Sequence, residues 1–408
     1  VNGDGLYPSG FYFWTSLLAG DNMVVSTLLI RMSQALLFSV LSIGLWLLLP
    51  RSGRVAYTAG IVATFVPFGV FLIPSLNPSG WAISSAAMLI PALLGYLTTS
   101  GIRSWVLGGF AVLAALLGLG ARGDSAAYTV VAVLAARVLG FEASRQFWLR
   151  AILPVALILI AAIAFLSADQ TGSALGGGMA IGGAEEIPKR ALIVINLIDL
   201  PELYFGVLGQ SFDGSPYSGL GWLDTPMPAL VWLPTTFVFA GVLFAGLARF
   251  DWRKSIALLG VGLAAVVIPM LLLVQNGVGV GWQVQPRYIM PHVMMLVVVA
   301  LSPTRQQKRG RTPLVFSRGQ RRVAAALLTV ANSVALYVNM RRYVAPGEFD
   351  LSGSAEWWWS VGPEPMVVWC VGSLAFGLLA AVLTKLPYGV AASGASQRGE
   401  REYQQAVQ

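Results

Sequence analysis

Apolar stretches of about 20 residues recur along this chain, divided by short breaks rich in Gly, Pro, Arg and Asp. At about 1.5 Å rise per residue, such a stretch crosses a hydrocarbon core of about 30 Å as a helix. Barrel strands would instead alternate over segments of about 10 residues. The pattern predicts helices over 32–49, 55–74, 80–97, 104–119, 124–141, 149–167, 227–248, 255–274, 284–302, 323–342 and 366–386. A twelfth apolar stretch, 191–209, carries Asn196, Asp199 and Glu202 at a three-residue spacing, with Pro201 among them. Each ionised carboxylate at mid-bilayer costs about 3 kcal/mol. The expected fold is all-α: a polytopic membrane bundle of about 11 transmembrane helices, with 191–209 as an external interfacial or re-entrant helix. One transmembrane domain is expected over 1–386, followed by a disordered cytoplasmic tail over 387–408.

Composition excludes a soluble protein. Hydrophobic residues make up 56% of the chain and charged residues only 11%, against about 25% charged in soluble domains. The single cysteine, Cys370, excludes an internal disulfide and a cysteine-based metal site. The single histidine, His292, excludes a His-cluster metal centre and argues against a Ser-His-Asp triad. No cofactor is evident, and a divalent cation stays open.

The net charge of +8 reads first as a topology signal. Loop 303–322 holds seven basic residues and no acid, which places it in the cytoplasm. With 191–209 not crossing, 50–54, 98–103, 142–150, 249–254 and the C-terminal tail share that side. The segments 1–31, 75–79, 120–123, 168–226, 275–283 and 343–365 then lie outside. Basic residues split 19 inside to 7 outside, and acids 4 to 14. A crossing by 191–209 would turn Arg51, Arg54, Arg145 and Arg150 outward. The basic surplus is thus topogenic, and no aromatic-interleaved basic patch points to nucleic acid. The expected location is a bacterial cytoplasmic membrane: 4 Lys against 22 Arg, with 45 Gly, suggest a GC-rich bacterial genome. The external start VNGDGLYPSG lacks the features of a signal peptide. It leads to the expectation of a twelve-span protein missing its first helix, through a late start or a truncated chain.

Candidate chemistry concentrates on the external side. The Gly-rich stretch 171–183 lacks a phosphate-loop lysine and reads as a linker or lid. Asp199 and Glu202 belong either to a helix on the bilayer surface or to a cavity wall. The turn-rich stretch 211–228 holds Asp213 and Asp224. Asn77-Pro78 initiates a turn, Ser79 can cap the next helix, and the Asn77 amide could hold a ligand. Arg122 and Asp124, in GARGDS, read as a local ion pair; an adhesive function for the tripeptide is rejected at so short a junction. Arg287 and Tyr288 are either interfacial anchors or, through the bidentate guanidinium, a grip on an anionic head group. His292, about a turn deeper, fits hydrogen-bonded packing better than a proton shuttle. Trp357, Trp358 and Trp359 fit an interfacial belt, with sugar stacking as the alternative.

Tyr7-Pro8, Asn77-Pro78-Ser79-Gly80, Gly221-Trp222-Leu223-Asp224-Thr225-Pro226 and Arg287-Tyr288 with Pro291 occur here in order between spans. This set, over roughly 5–300, resembles the bacterial polytopic family known as domain of unknown function 2142. Pro286 stands where that family usually has Gly. The family's layout is similar to the GT-C membrane glycosyltransferases. The resemblance implies membrane lipids, a polyprenyl-phosphate sugar donor and an envelope glycan acceptor as partners. It also implies an acid on an external loop as general base. No Asp-Glu pair stands near Asp4, so no catalytic residue is assigned, and this chain alone is expected to lack transferase activity. The substrate-binding candidates are Arg287, Tyr288, Asn77, Asp199, Glu202, Asp224 and Arg122. A transporter or flippase of a lipid-linked substrate and a non-catalytic membrane component remain the alternatives. No internal inverted repeat favours the transporter.

Overall fold

The computed structural model describes residues 7–168, 187–211, 219–220, 225–248, 250–281, 284–304, 316–344, 351 and 362–386. The helices are α1 (Ser9–Ser16), α2 (Met23–Leu48), α3 (Arg51–Thr64), α4 (Phe68–Leu72), α5 (Ser79–Thr98), α6 (Ile102–Leu119), α7 (Ser125–Leu139), α8 (Arg145–Leu149), α9 (Ile152–Ser167), α10 (Lys189–Val207), α11 (Ala229–Leu247), α12 (Trp252–Gln275), α13 (Pro286–Leu301), α14 (Arg318–Val344) and α15 (Pro365–Lys385). Among the described residues the only β pairing is a bridge between Leu220 and Thr225.

Among the described residues, eight segments are long and apolar enough to cross a membrane: α2, α5, α6, Arg145–Ser167, α11, α12, α14 and α15. The predicted spans 124–141 and 284–302 are shorter apolar helices, α7 and α13. The predicted span 55–74 is broken into α3 and α4. Pro67 lacks the N–H that a continuous helix needs, and its ring would clash with the carbonyl four residues back. Helix α2 begins at Met23, nine residues before the predicted start, where the Asn22 side chain accepts a hydrogen bond from Val25 N.

Helices α5 and α13 are the innermost, buried along nearly their whole lengths. Around them pack α3, α6, α7, α11 and α12. The perimeter helices α2, α9 and α15 expose large apolar side chains such as Leu36, Ile163 and Leu374. No polar face covers them, as expected where the solvent is lipid. The chain is therefore a multi-pass membrane protein.

The two ends of the bundle differ. At one end, arginines close helix C-termini whose carbonyls lack partners. Arg54 donates to Leu47 O (2.7 Å) and Leu49 O (2.9 Å), and Arg103 to Leu48 O (2.6 Å). Arg150 donates to Tyr96 O (2.8 Å) and Thr99 O (2.7 Å). Lys254, buried at 2% exposure, donates to Ala300 O (2.8 Å). At the other end lie the connections before α5, between α6 and α7, and before α13.

Helix α10 is anchored at this second end. Its buried Asn196 donates to Val278 O (3.0 Å) and accepts from Val280 N (2.8 Å), both in the α12–α13 connection. Just past its C-terminus, the Leu208 carbonyl lies 2.6 Å from the Thr235 hydroxyl, early in α11. Gly246 abuts Ala300, so α11 and α13 run parallel with both N-termini at that end. The outward side chains Ile193, Val194, Leu197 and Ile198 are exposed and apolar. The helix is thus part of the bundle wall and touches down twice at one end.

Candidate functional site

The site is built at that second end from three connections and one short helix. Asn77 O accepts from Gly80 N, and Asn77 Oδ1 accepts from Ser79 N at 2.9 Å. Asn77 thus forms an Asx turn just ahead of α5, whose N-cap is Pro78, and Ser79 is the first helical residue instead of the predicted cap. Gly80 must be small, because a Cβ there would stand 2.8 Å from the Leu72 carbonyl oxygen. Helix α1 lies against the α6–α7 turn, with Phe11 N donating to Gly120 O at 2.9 Å. The Phe11 ring meets Trp81 edge-on at 5.4 Å, and Trp81 Nε1 donates to buried Gln34. These contacts bring Tyr7 and Tyr12 to the site. At the third connection Pro286 is the first residue of α13. Its missing N–H costs nothing at that position, so Pro replaces Gly there without damage.

Arg122 is the hub. It is 5% exposed and forms a forked pair with Asp124: Nε to Oδ1 at 2.9 Å and Nη2 to Oδ2 at 2.8 Å. Its Nη1 reaches Ser79 Oγ at 3.4 Å, and its guanidinium lies 4.4 Å over the Tyr288 ring. The Tyr128 hydroxyl is 3.1 Å from Asp124 Oδ2 and 2.8 Å from the Tyr288 carbonyl oxygen. The network joins α5, the α6–α7 turn, α7 and α13. Burial, the largest single influence, would pull the Arg122 guanidinium down; Asp124, Tyr288 and Tyr128 together outweigh it and hold the group well above its usual range. Tyr12 is raised mainly by partial burial, with Tyr7 adding and Arg122 opposing, so its hydroxyl stays a neutral donor.

Beside this hub opens a cavity of about 1330 Å³. Asn77, Arg122 and Arg287, three of the predicted binding residues, line it, with Arg31, Gln285, Tyr7 and Tyr12. No carboxylate lines it among the described residues. Its other walls are mainly apolar, with Val70 and Phe71 of α4 and Leu336, Val368, Phe376 and Leu379 of α14 and α15. Val70 and Leu379 are also exposed on the apolar perimeter, so the cavity adjoins the lipid.

Arg287 Nη2 donates to the Tyr288 hydroxyl at 3.2 Å, and its guanidinium lies 5.1 Å from that ring. Among the described residues its Nε is buried without a hydrogen-bond partner, and the one ion pair is Arg122–Asp124. Tyr288 stands between the two guanidiniums and behind the cavity wall. Asp199 and Glu202 are half-buried on α10 and do not line the cavity. Asp224, Asp4, Asp213, Trp357, Trp358, Trp359 and the stretch 171–183 lie outside the described residues. His292 packs edge-on against Tyr128 at 5.0 Å, and neither ring nitrogen has a hydrogen-bond partner among the described residues. It is packed, as expected, but without the expected hydrogen bond.

Sequence reasoning missed Arg31, Gln285, Asn332 and Asn339, all lining the cavity. The hydropathy pattern puts Arg31 at a helix end; it sits within α2, and its Nε donates to Pro74 O at 3.1 Å. The available signal for Asn332 and Asn339 was two amides seven residues apart in an apolar span.

No curated protein and no solved structure matches this chain. The family described as predicted membrane protein, DUF2142, matches residues 2–297. Those residues contain the whole hub and the Arg287 wall of the cavity, and the chain belongs to the DUF2142 family of membrane proteins.

Proposed function

We propose that the chain is a GT-C-like protein of envelope glycan assembly in the bacterial inner membrane, and that its cavity receives the phosphate end of a polyprenyl-phosphate-linked sugar. The cavity end then faces outward and the arginine-capped end faces the cytoplasm, as the positive-inside rule favours. One observation carries the reading: a large cavity with guanidiniums at one end and apolar, lipid-adjoining walls at the other. That is the complement of an anionic head on a hydrocarbon chain. Arg287 is the cation to hold the phosphate, because its fork is not closed by a carboxylate. Sugar transfer also needs a general base. The described lining supplies none, so these residues bind and orient the donor.

The test is polyprenyl-phosphate affinity in neutral phosphatidylcholine nanodiscs. A charge-assisted hydrogen bond contributes about 1.5–3 kcal/mol. Arg287→Ala should therefore weaken binding by about 10- to 100-fold, and Arg287→Lys by less, since the charge remains and the fork is lost. Unchanged affinity in a folded Arg287→Ala protein would leave Arg287 as an interfacial anchor.

A further inference from the structure

Helices α14 and α15 lie beyond the family-matched residues, yet they supply one wall of the cavity. That wall is not wholly apolar. Asn332 and Asn339 both line the cavity from α14. Seven residues is close to two helical turns, so they share one face about 10 Å apart. Asn332 is buried, and Asn339 Oδ1 is buried with no hydrogen-bond partner among the described residues. Gln285, at the N-cap of α13, lines the same cavity, and its Oε1 is buried without a partner as well.

Amides on a membrane-spanning helix are costly unless something in the bundle satisfies them. A hydrocarbon chain offers them nothing. An ionised phosphate has no proton for a carbonyl oxygen, so the two open acceptors do not belong to the Arg287 subsite. Hydroxyl groups fit, because each donates and accepts, and an amide does both at once. We infer that Asn332, Asn339 and Gln285 form a second subsite for an uncharged, hydroxyl-rich group, a hexosyl unit borne on the phosphate that Arg287 holds. This rests on the reading of the cavity as a polyprenyl-phosphate site. It assigns the phosphate grip to the family-matched part of the chain. Discrimination between head groups falls mainly to α14, outside that part.

The full chain in phosphatidylcholine nanodiscs is titrated with polyprenyl phosphate, polyprenyl-phosphate-hexose and free hexose 1-phosphate. The wild type should prefer the hexose-bearing lipid. Asn332→Leu/Asn339→Leu should lower affinity for that lipid by about 10-fold or more, from two lost hydrogen bonds, and leave plain polyprenyl phosphate unchanged. If the double variant does not fold, Asn339→Leu alone carries the same comparison with a smaller loss. Arg287→Ala should weaken both lipids. Equal behaviour of the amide variant and wild type, or equal weakening of both lipids by it, overturns the hexose subsite and leaves the phosphate site standing. An Arg287→Ala protein that binds both lipids normally overturns the underlying reading instead. Hexose 1-phosphate binding as tightly as the hexose-bearing lipid overturns the lipid-borne assignment.

Discussion

Removing the carboxylate of Asp124 should destabilise the whole bundle, because it would strand the Arg122 guanidinium. Arg122 is 5% exposed, and its Nε and Nη2 face the two Asp124 oxygens at 2.8–3.1 Å. An exposed pair of this kind contributes about 0–1 kcal/mol. Breaking a buried one costs about 3–5 kcal/mol, because the remaining charge has no water. The Asp124 side chain is 24% exposed, so some water can enter and the low end, about 3 kcal/mol, applies. Asp124→Asn retains one acceptor but turns an NH2 group toward the guanidinium, which adds a donor where an acceptor is needed. Asp124→Leu removes both acceptors. The assay is equilibrium unfolding in mixed micelles followed by tryptophan fluorescence, with Arg122→Met, Asp124→Leu and the double variant completing a cycle. Each single variant should lose about 3 kcal/mol, and the double variant far less than the sum, since an apolar pair strands no charge. Additive losses, or an Asp124→Leu cost below about 1 kcal/mol, would show that the pair behaves as an exposed one and that the hub does not bind the helices together.

Two further outcomes follow from the packing and the topology. Gly60 of α3 faces α13, where a Cβ would stand 2.5 Å from Val298 Cγ2; Gly60→Ala should cost about 1–3 kcal/mol by overpacking, and Val298→Ala should restore most of it in the double variant. In a protein with the exposed Cys370 changed to Ser, Ile187→Cys and Pro226→Cys flank α10 and should react with an impermeant thiol reagent from the same side; reaction of only one would mean that α10 crosses the membrane.

The membrane class was legible because an 11% charged fraction cannot cover a surface that faces water, and apolar runs of about 20 residues match the thickness of a bilayer core. The helix boundaries were less so. Arg31 looked like the edge of a span because charge is costly in lipid, yet its guanidinium reaches the Pro74 carbonyl and the helix continues past it. The break at Pro67 was hidden inside an apolar run, where hydropathy carries no trace of a lost hydrogen bond. The three-residue spacing of Asn196, Asp199 and Glu202 shows another limit. A step of three residues turns a helix by about 300°, so two steps drift by about 120°. Asn196 consequently points into the core, while Asp199 and Glu202 rotate away toward the half-exposed flank. Asn77, Arg122 and Arg287 were each legible as external candidates, but their meeting in one cavity was not. It depends on how α1, α5, α7 and α13 cross, which no spacing along the chain encodes.

The use made of the positive charges separates the two ends of the molecule. At one end Arg54, Arg103, Arg150 and Lys254 all donate to backbone carbonyls, most of them at helix C-termini. There the charge satisfies orphan acceptors and favours the negative ends of helix dipoles, so it holds structure. At the other end the pattern changes. Arg122 is closed by Asp124, and Arg31 gives its Nε to Pro74. Arg287, at the N-terminus of α13, adds its charge to the positive end of a dipole, where intrinsic electrostatics oppose a cation. Its hydrogen bond to the Tyr288 hydroxyl brings no carboxylate countercharge, and its Nε is without a partner among the described residues. An arginine needed only to cap or to anchor would not be set there. Two positive features facing a cavity with no carboxylate among its described lining cost stability, and an anion placed there would offset that cost. An anionic ligand, as proposed above, would supply the countercharge that Arg287 lacks among the described residues.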